Sequence, residues 1–122
     1  MLHKLRRKIA NRVLKRLFAS SVITVIDGLP VASLRDDHAD FLRVISLSFD
    51  LLREHDPRRL ERIVSVAERV VDGALALGGR SAEFYTPLSA IQIDFEWSDD
   101  FGDDLQHAAY FAGVLVHEGT HG

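Results

Sequence analysis

Residues 89–122 read SAIQIDFEWSDDFGDDLQHAAYFAGVLVHEGTHG, and the period of the hydrophobic residues changes within this stretch. Residues 91–97 alternate between apolar and polar, which predicts a half-buried strand with one apolar and one largely acidic face. From residue 105 onward the apolar side chains recur every three or four positions, which predicts a helix. Asp103 and Asp104 carry the negative charge that suits its N-terminus. A strand followed by an amphipathic helix indicates an α+β domain.

The preceding sequence supplies the remaining predicted elements. Residues 22–26 are all β-branched and predict a strand, which the turn pair Asp27-Gly28 ends. Residues 31–32 fit either a second short strand or a loop. Residues 36–79 predict two helices joined at Asp56-Pro57, with the second ending at Gly78-Gly79. The charged residues of the second predicted helix are assigned to its solvent-exposed side: Arg58, Arg59, Glu61, Arg62, Glu68, Arg69 and Asp72. The expected fold is therefore mostly helical with a small sheet.

Charge is distributed unevenly along the chain. Residues 1–20 contain seven basic and no acidic side chains, whereas the rest of the chain contains 8 basic and 18 acidic ones. Residues 2–18 also place Leu2, Leu5, Ile9, Val13 and Leu17 on one stripe of a predicted amphipathic helix. That stripe fits a helix packed on the domain. It also fits a helix that contacts an anionic membrane surface or a partner protein.

Composition narrows the class of protein. The 122 residues suit a single domain spanning 1–122, and 47% hydrophobic content suits a folded core. The absence of cysteine excludes disulfide scaffolds, cysteine zinc sites and a cysteine nucleophile, and it is compatible with a cytoplasmic location. No apolar run approaches the roughly 20 residues of a membrane span. The acidic body argues against nucleic acid as a partner.

The final helix ends in His117-Glu118-Gly119-Thr120-His121, which is an HExxH motif. Residues four positions apart on a helix share a face, so His117 and His121 can reach one metal ion, and two neutral imidazoles suit Zn²⁺. Glu118 is turned about 100° from His117, which suits a general base that activates a metal-bound water. The motif therefore predicts a metal pair at His117 and His121 and a catalytic Glu118.

This helix resembles the active-site helix of the HExxH zinc metallopeptidases, the zincins. His117, Glu118 and His121 match the motif, and Val114-Leu115-Val116 matches its apolar lead-in. The resemblance implies zinc-dependent hydrolysis of a peptide or protein substrate. It also implies that a strand before the helix forms a sheet edge that aligns the substrate. Residues 89–97 hold that position in the order of elements, although an ordinary sheet strand fits them equally well.

Zincins usually have a third protein ligand downstream of the second histidine, and here only Gly122 follows His121. Three explanations stay open: the sequence is the N-terminal part of a longer zincin-like domain, a ligand lies upstream, or the motif is degenerate. The first is preferred. Upstream, His107 lies about 15 Å from His117 along the helix, too far for a shared metal. The remaining acidic candidates are Asp94, Glu96, Asp99, Asp100, Asp103 and Asp104.

Two function classes follow from these features. The preferred class is a zinc-dependent hydrolase, most specifically a metallopeptidase. The alternative is a non-catalytic interaction module whose basic amphipathic helix, within residues 1–20, contacts a membrane surface or a partner protein. The sequence does not distinguish one oligomeric state from another.

Overall fold

A mixed sheet and three helices make up the part of the chain that the computed structural model describes, namely residues 5, 8–9, 12, 16, 23–33, 39–73, 82–85, 89–93 and 103–120. In chain order these elements are β1 (Ile23–Ile26), β2 (Leu29–Ser33), α1 (Ala39–His55), α2 (Pro57–Val66), β3 (Arg69–Asp72), β4 (Ala82–Tyr85), β5 (Ala90–Ile93) and α3 (Asp104–Gly119). The expected α+β class with a C-terminal helix is confirmed.

The five strands lie in the order β1-β2-β3-β5-β4. The three inner strands are parallel to one another, and each edge strand is antiparallel to its neighbour. A two-residue turn joins β1 to β2, with φ of 50° at Asp27 and 83° at Gly28. Positive φ at both positions matches the right-handed twist of a hairpin, and Asp-Gly is a preferred pair for it. Residues 31–32 therefore lie in a strand rather than in a loop.

The predicted long second helix is wrong beyond Val66. The backbone becomes extended at Ala67, and residues 69–72 form β3 between β2 and β5. Val70 and Val71 fit the inward positions of a helix, but they are also β-branched and buried, as an inner parallel strand requires. Hydrogen bonding to β2 on one side and to β5 on the other makes these residues a strand, and the hydrophobic period of the sequence does not indicate that pairing. The predicted end at Gly78-Gly79 lies outside the described residues.

Asp72 is a second correction, because the sequence analysis placed it on the solvated side. Its side chain is fully buried at the end of β3, where the Ser33 hydroxyl of β2 donates a hydrogen bond of 2.7 Å to its carboxylate. A buried carboxyl group requires such donors, since burying even a neutral polar group without a hydrogen bond costs about 2–7 kcal/mol and an ionised carboxylate costs far more. This bond therefore ties the carboxyl ends of two neighbouring parallel strands together.

Residues 90–93 form an inner strand, and the expectation of a half-buried strand is wrong for them. Ala90, Ile91, Gln92 and Ile93 are all buried, and β4 covers the side that would otherwise be the sheet edge. Residues 90–93 therefore do not lie at the sheet edge that the zincin resemblance implied for residues 89–97; in the described part of the chain the edge strands are β1 and β4. Residues 94–97 lie outside the described part of the chain.

Helices α1 and α3 run parallel to each other. Arg43 near the start of α1 pairs with Asp104 at the start of α3 at 2.6 Å, and the Ser48 hydroxyl donates to the Ala108 carbonyl at 2.8 Å. The core between helices and sheet is formed by large apolar side chains, chiefly Phe41, Ile45, Phe49, Ile63, Ile91, Ile93 and Leu115. This arrangement brings the end of α3 beside the junction between α1 and α2.

Near the N-terminus, Leu5, Lys8, Ile9, Arg12 and Arg16 have helical backbone and exposed side chains. The interpretation of this helix as packed on the domain through its apolar stripe is therefore wrong for Leu5 and Ile9. Among the residues that the structure describes, no helix has the length and apolar content needed to cross a bilayer.

Candidate metal centre

The helix α3 carries the HExxH motif at its C-terminal end. At the other end Asp103 is the N-cap, where its side chain accepts a 2.8 Å hydrogen bond from the Gln106 amide. Such a cap satisfies a donor that the first turn leaves open. Thr120 keeps right-handed helical dihedrals, and its amide bonds the carbonyls of Val116 and His117 at 3.2 Å. Regular helical geometry thus extends through the first four residues of the motif.

His117 lies on the solvent side of this helix. Its side chain is 70% exposed. Leu115, two residues earlier, is fully buried, and two residues correspond to about 200° of rotation around a helix. The imidazole is therefore directed away from the core and is accessible from solvent.

Glu118 occupies a different environment from its neighbour, because its side chain is only 10% exposed. It lies at the flank of the buried stripe of α3, and its Oε1 is 4.0 Å from His117 Nε2. A carboxylate next to an accessible nitrogen is an arrangement that can accept and donate a proton near a metal bound at that nitrogen.

The predicted second ligand, His121, lies outside the described residues, so the structure does not test the metal pair. Within the described ranges, no three His, Asp or Glu side chains come together as a metal-binding group. Among the acidic candidates for a third ligand, Asp103 and Asp104 are engaged at the opposite end of α3, about 20 Å from His117 by helical rise. Asp94, Glu96, Asp99 and Asp100 also lie outside the described part.

His107 is fully buried in the core, and its ring centroid lies 5.0 Å from that of Phe111. Burial lowers the pKa of this imidazole below 6.5 because the charged form loses its hydration, and the charge of Asp104 opposes that change only partly. His107 is therefore a neutral core residue near the start of α3. This position agrees with the prediction that it is a poor third ligand for a metal at His117.

An open groove of about 550 Å³ adjoins His117. It runs between the last two turns of α3 and the α1–α2 junction, and Asp56, Arg59 and Arg62 contribute charged side chains to its wall. Glu118 is not among the residues that line it. The sequence analysis gave these arginines no role beyond a solvated face, because only the packing of α2 beside α3 directs them toward the motif.

Two glycines of α3 differ in what surrounds them. A Cβ placed on Gly119 would lie 2.8 Å from Ile63 Cγ1 of α2, whereas a Cβ on Gly113 would meet nothing within 4 Å. The close approach between α3 and α2 therefore occurs at Gly119, which lies within the motif itself.

In comparisons with known proteins, no family model, no curated protein and no solved structure matches this chain. The interpretation of the site therefore rests on its own residues and geometry.

Proposed function

We propose that this protein is a zinc-dependent hydrolase, and specifically a metallopeptidase, with His117 and His121 as metal ligands and Glu118 as general base. The observation that carries the proposal is the arrangement at the end of α3. An exposed imidazole at His117 lies 4.0 Å from a nearly buried carboxylate at Glu118. The helical backbone at Thr120 supports the proposed metal pair, because regular helical geometry brings residues four positions apart, such as 117 and 121, to one face.

The donor chemistry of this end of α3 fits zinc. Neutral imidazole nitrogen is a preferred Zn²⁺ ligand, and the accessibility of His117 allows a metal ion to reach it. When bound, zinc supplies a Lewis acid that polarises a carbonyl group and acidifies water. The third protein ligand of this proposal is not among the described residues.

Glu118 performs the proton transfer in this proposal. Its carboxylate accepts a proton from the attacking water, whose oxygen forms a bond to the scissile carbonyl carbon. The same carboxyl group then donates that proton to the leaving amine as the carbon–nitrogen bond breaks. Proton transfer of this kind contributes typically 10²- to 10⁴-fold to a rate.

The edge strand β4 is the element we assign to substrate alignment. It lies at one end of the sheet, antiparallel to β5, and α3 packs against it. An extended peptide can add to a strand edge through main-chain hydrogen bonds. This assignment replaces residues 90–93, which are an inner strand. A cytoplasmic location is also part of the proposal, on the absence of cysteine.

The test compares Glu118→Gln with the wild-type chain and with Glu61→Gln, which changes an exposed carboxylate on α2. Zinc content is measured by mass spectrometry, and hydrolysis is measured on a quenched fluorescent peptide library. We expect Glu118→Gln to keep zinc and to lose at least about 100-fold in rate, while Glu61→Gln matches the wild type. Unchanged hydrolysis in Glu118→Gln, or a zinc-loaded wild type without hydrolysis, refutes the proposal.

The interaction module remains the second candidate, and the exposure of Leu5 and Ile9 is the observation that favours it.

A further inference from the structure

We propose that a face of exposed residues near the N-terminus, all with helical backbone, docks on an anionic lipid surface. This face, here called the basic face, consists of Leu5, Lys8, Ile9, Arg12 and Arg16. All five residues have helical backbone and exposed side chains. The proposed contact is independent of zinc, so it can exist whether or not the HExxH motif binds a metal.

The spacing of these residues makes them neighbours. Positions 5, 8, 9, 12 and 16 fall within an arc of roughly 100° on a regular helix. Leu5 and Ile9 lie one turn apart, and Lys8, Arg12 and Arg16 follow at steps of one turn. The face therefore presents two aliphatic side chains near one end and a row of three cations along its length.

Exposure of the aliphatic side chains is the first argument for a missing partner. Leu5 is 56% and Ile9 is 54% exposed. Apolar area left in water is unfavourable in proportion to its size, so two adjacent large aliphatic side chains favour an apolar environment that covers them. Among the described residues the protein supplies no such cover for them.

Charge is the second argument, and it identifies the partner as anionic. Residues 1–20 contain seven cations and no carboxylate. Among the described residues, no carboxylate pairs with Lys8, Arg12 or Arg16. Several described aspartates are instead engaged by arginines of the body, such as Asp27 and Asp50 by Arg53 at 2.6 and 2.7 Å. The basic face is thus directed to an anionic surface outside this chain.

The combination of side chains favours lipid over other anionic partners. A helix in the membrane interface inserts aliphatic side chains and places Lys and Arg among the headgroups. The centres of protein interfaces are enriched in aromatic side chains, and the basic face contains none. Binding to a nucleic-acid backbone would use the cations but would leave Leu5 and Ile9 in water.

The test measures cosedimentation of the full chain with vesicles of phosphatidylcholine alone and of phosphatidylcholine with phosphatidylserine, at low and high salt. One variant, Lys8→Gln/Arg12→Gln/Arg16→Gln, removes the cations. A second, Leu5→Ser/Ile9→Ser, removes the aliphatic contacts. The matched control Arg58→Gln/Arg59→Gln/Arg62→Gln removes three exposed cations from α2 instead. Circular dichroism verifies that each variant remains folded.

We expect the wild type to bind the phosphatidylserine vesicles, to bind neutral vesicles weakly, and to lose binding as salt rises. Removing the three cations lowers the affinity about 100-fold, while the α2 control binds as the wild type does. The aliphatic variant loses affinity but keeps its salt dependence. Absence of binding at low salt, or equal loss in the α2 control, overturns the proposal. So does a salt-sensitive dimer that the cation variant abolishes, since the partner is then a second copy of the chain.

Discussion

The close approach of α3 to α2 at Gly119 leads to the sharpest stability prediction. A Cβ at this position would lie 2.8 Å from Ile63 Cγ1, which is closer than real Cβ atoms come to a neighbour, so either the Ile63 side chain or the two helices must shift in Gly119→Ala. Overpacking of this kind costs about 1–3 kcal/mol. Alanine also gains up to about 1 kcal/mol over glycine from helix propensity. The net expectation is a loss of about 1–2 kcal/mol in the free energy of unfolding.

Gly113→Ala is the matched control, because it makes the same substitution on the same helix where a Cβ meets nothing within 4 Å. Here only the propensity gain applies, and we expect stabilisation by up to about 1 kcal/mol. Urea denaturation followed by circular dichroism measures both variants. With a urea slope of about 2 kcal/mol per M, a stability difference of about 2 kcal/mol separates the two midpoints by about 1 M.

A double-mutant cycle with Ile63→Ala tests the cause of the effect. Removing Cγ1 relieves the clash, so Gly119→Ala should cost less in the Ile63→Ala background than in the wild type. The reasoning is refuted if Gly119→Ala is as stable as Gly113→Ala. It is also refuted if the two substitutions at residues 63 and 119 are additive.

Three further outcomes follow from buried polar groups. Burial lowers the pKa of His107, so below about pH 6.5 the unfolded chain binds more protons than the folded protein does. The free energy of unfolding therefore falls as pH drops below about 6.5 and does not change with His107 above it. His107→Leu should remove this pH dependence from urea midpoints measured between about pH 5 and 8. Ser33→Ala withdraws the 2.7 Å donor from the buried Asp72 carboxylate and should cost about 1–3 kcal/mol in chemical denaturation, so a change below about 0.5 kcal/mol would contradict that role. Ser48→Ala removes the hydrogen bond to Ala108 and should cost about 0.5–1.5 kcal/mol by thermal unfolding, whereas a gain in stability would show that the bond between α1 and α3 contributes nothing.

The sequence correctly predicted those elements whose determining residues lie within the element itself. The β-branched residues 22–26 and the Asp27-Gly28 pair predicted a strand and its turn, and the structure has both. Asp56 and Pro57 lie at the predicted junction of the two helices, as the N-cap and the first residue of α2. The start of α3 at Asp103 was also predicted, because capping depends on neighbours only three residues away.

Elements that depend on distant partners were not predictable in the same way. Residues 69–72 carry apolar side chains that suit a helix face or an inner strand, and only pairing with β2 and β5 makes them a strand. Ala82–Tyr85 gave no strand signal, yet this segment forms the sheet edge. At the site, the exposure of His117 follows from the helical period, whereas the groove wall formed by Arg59 and Arg62 requires knowledge of how α2 packs against α3.

The zinc content of the purified chain tests the central claim most directly. It is measured by mass spectrometry for the wild type, His117→Ala and His55→Ala. The control is matched, since the side chains of His117 and His55 are 70% and 69% exposed and neither substitution disturbs the core. We predict near-stoichiometric zinc in the wild type and in His55→Ala, and loss of zinc in His117→Ala. Zinc absent from the wild type, or retained in His117→Ala, would contradict the assignment of a metal centre to the end of α3.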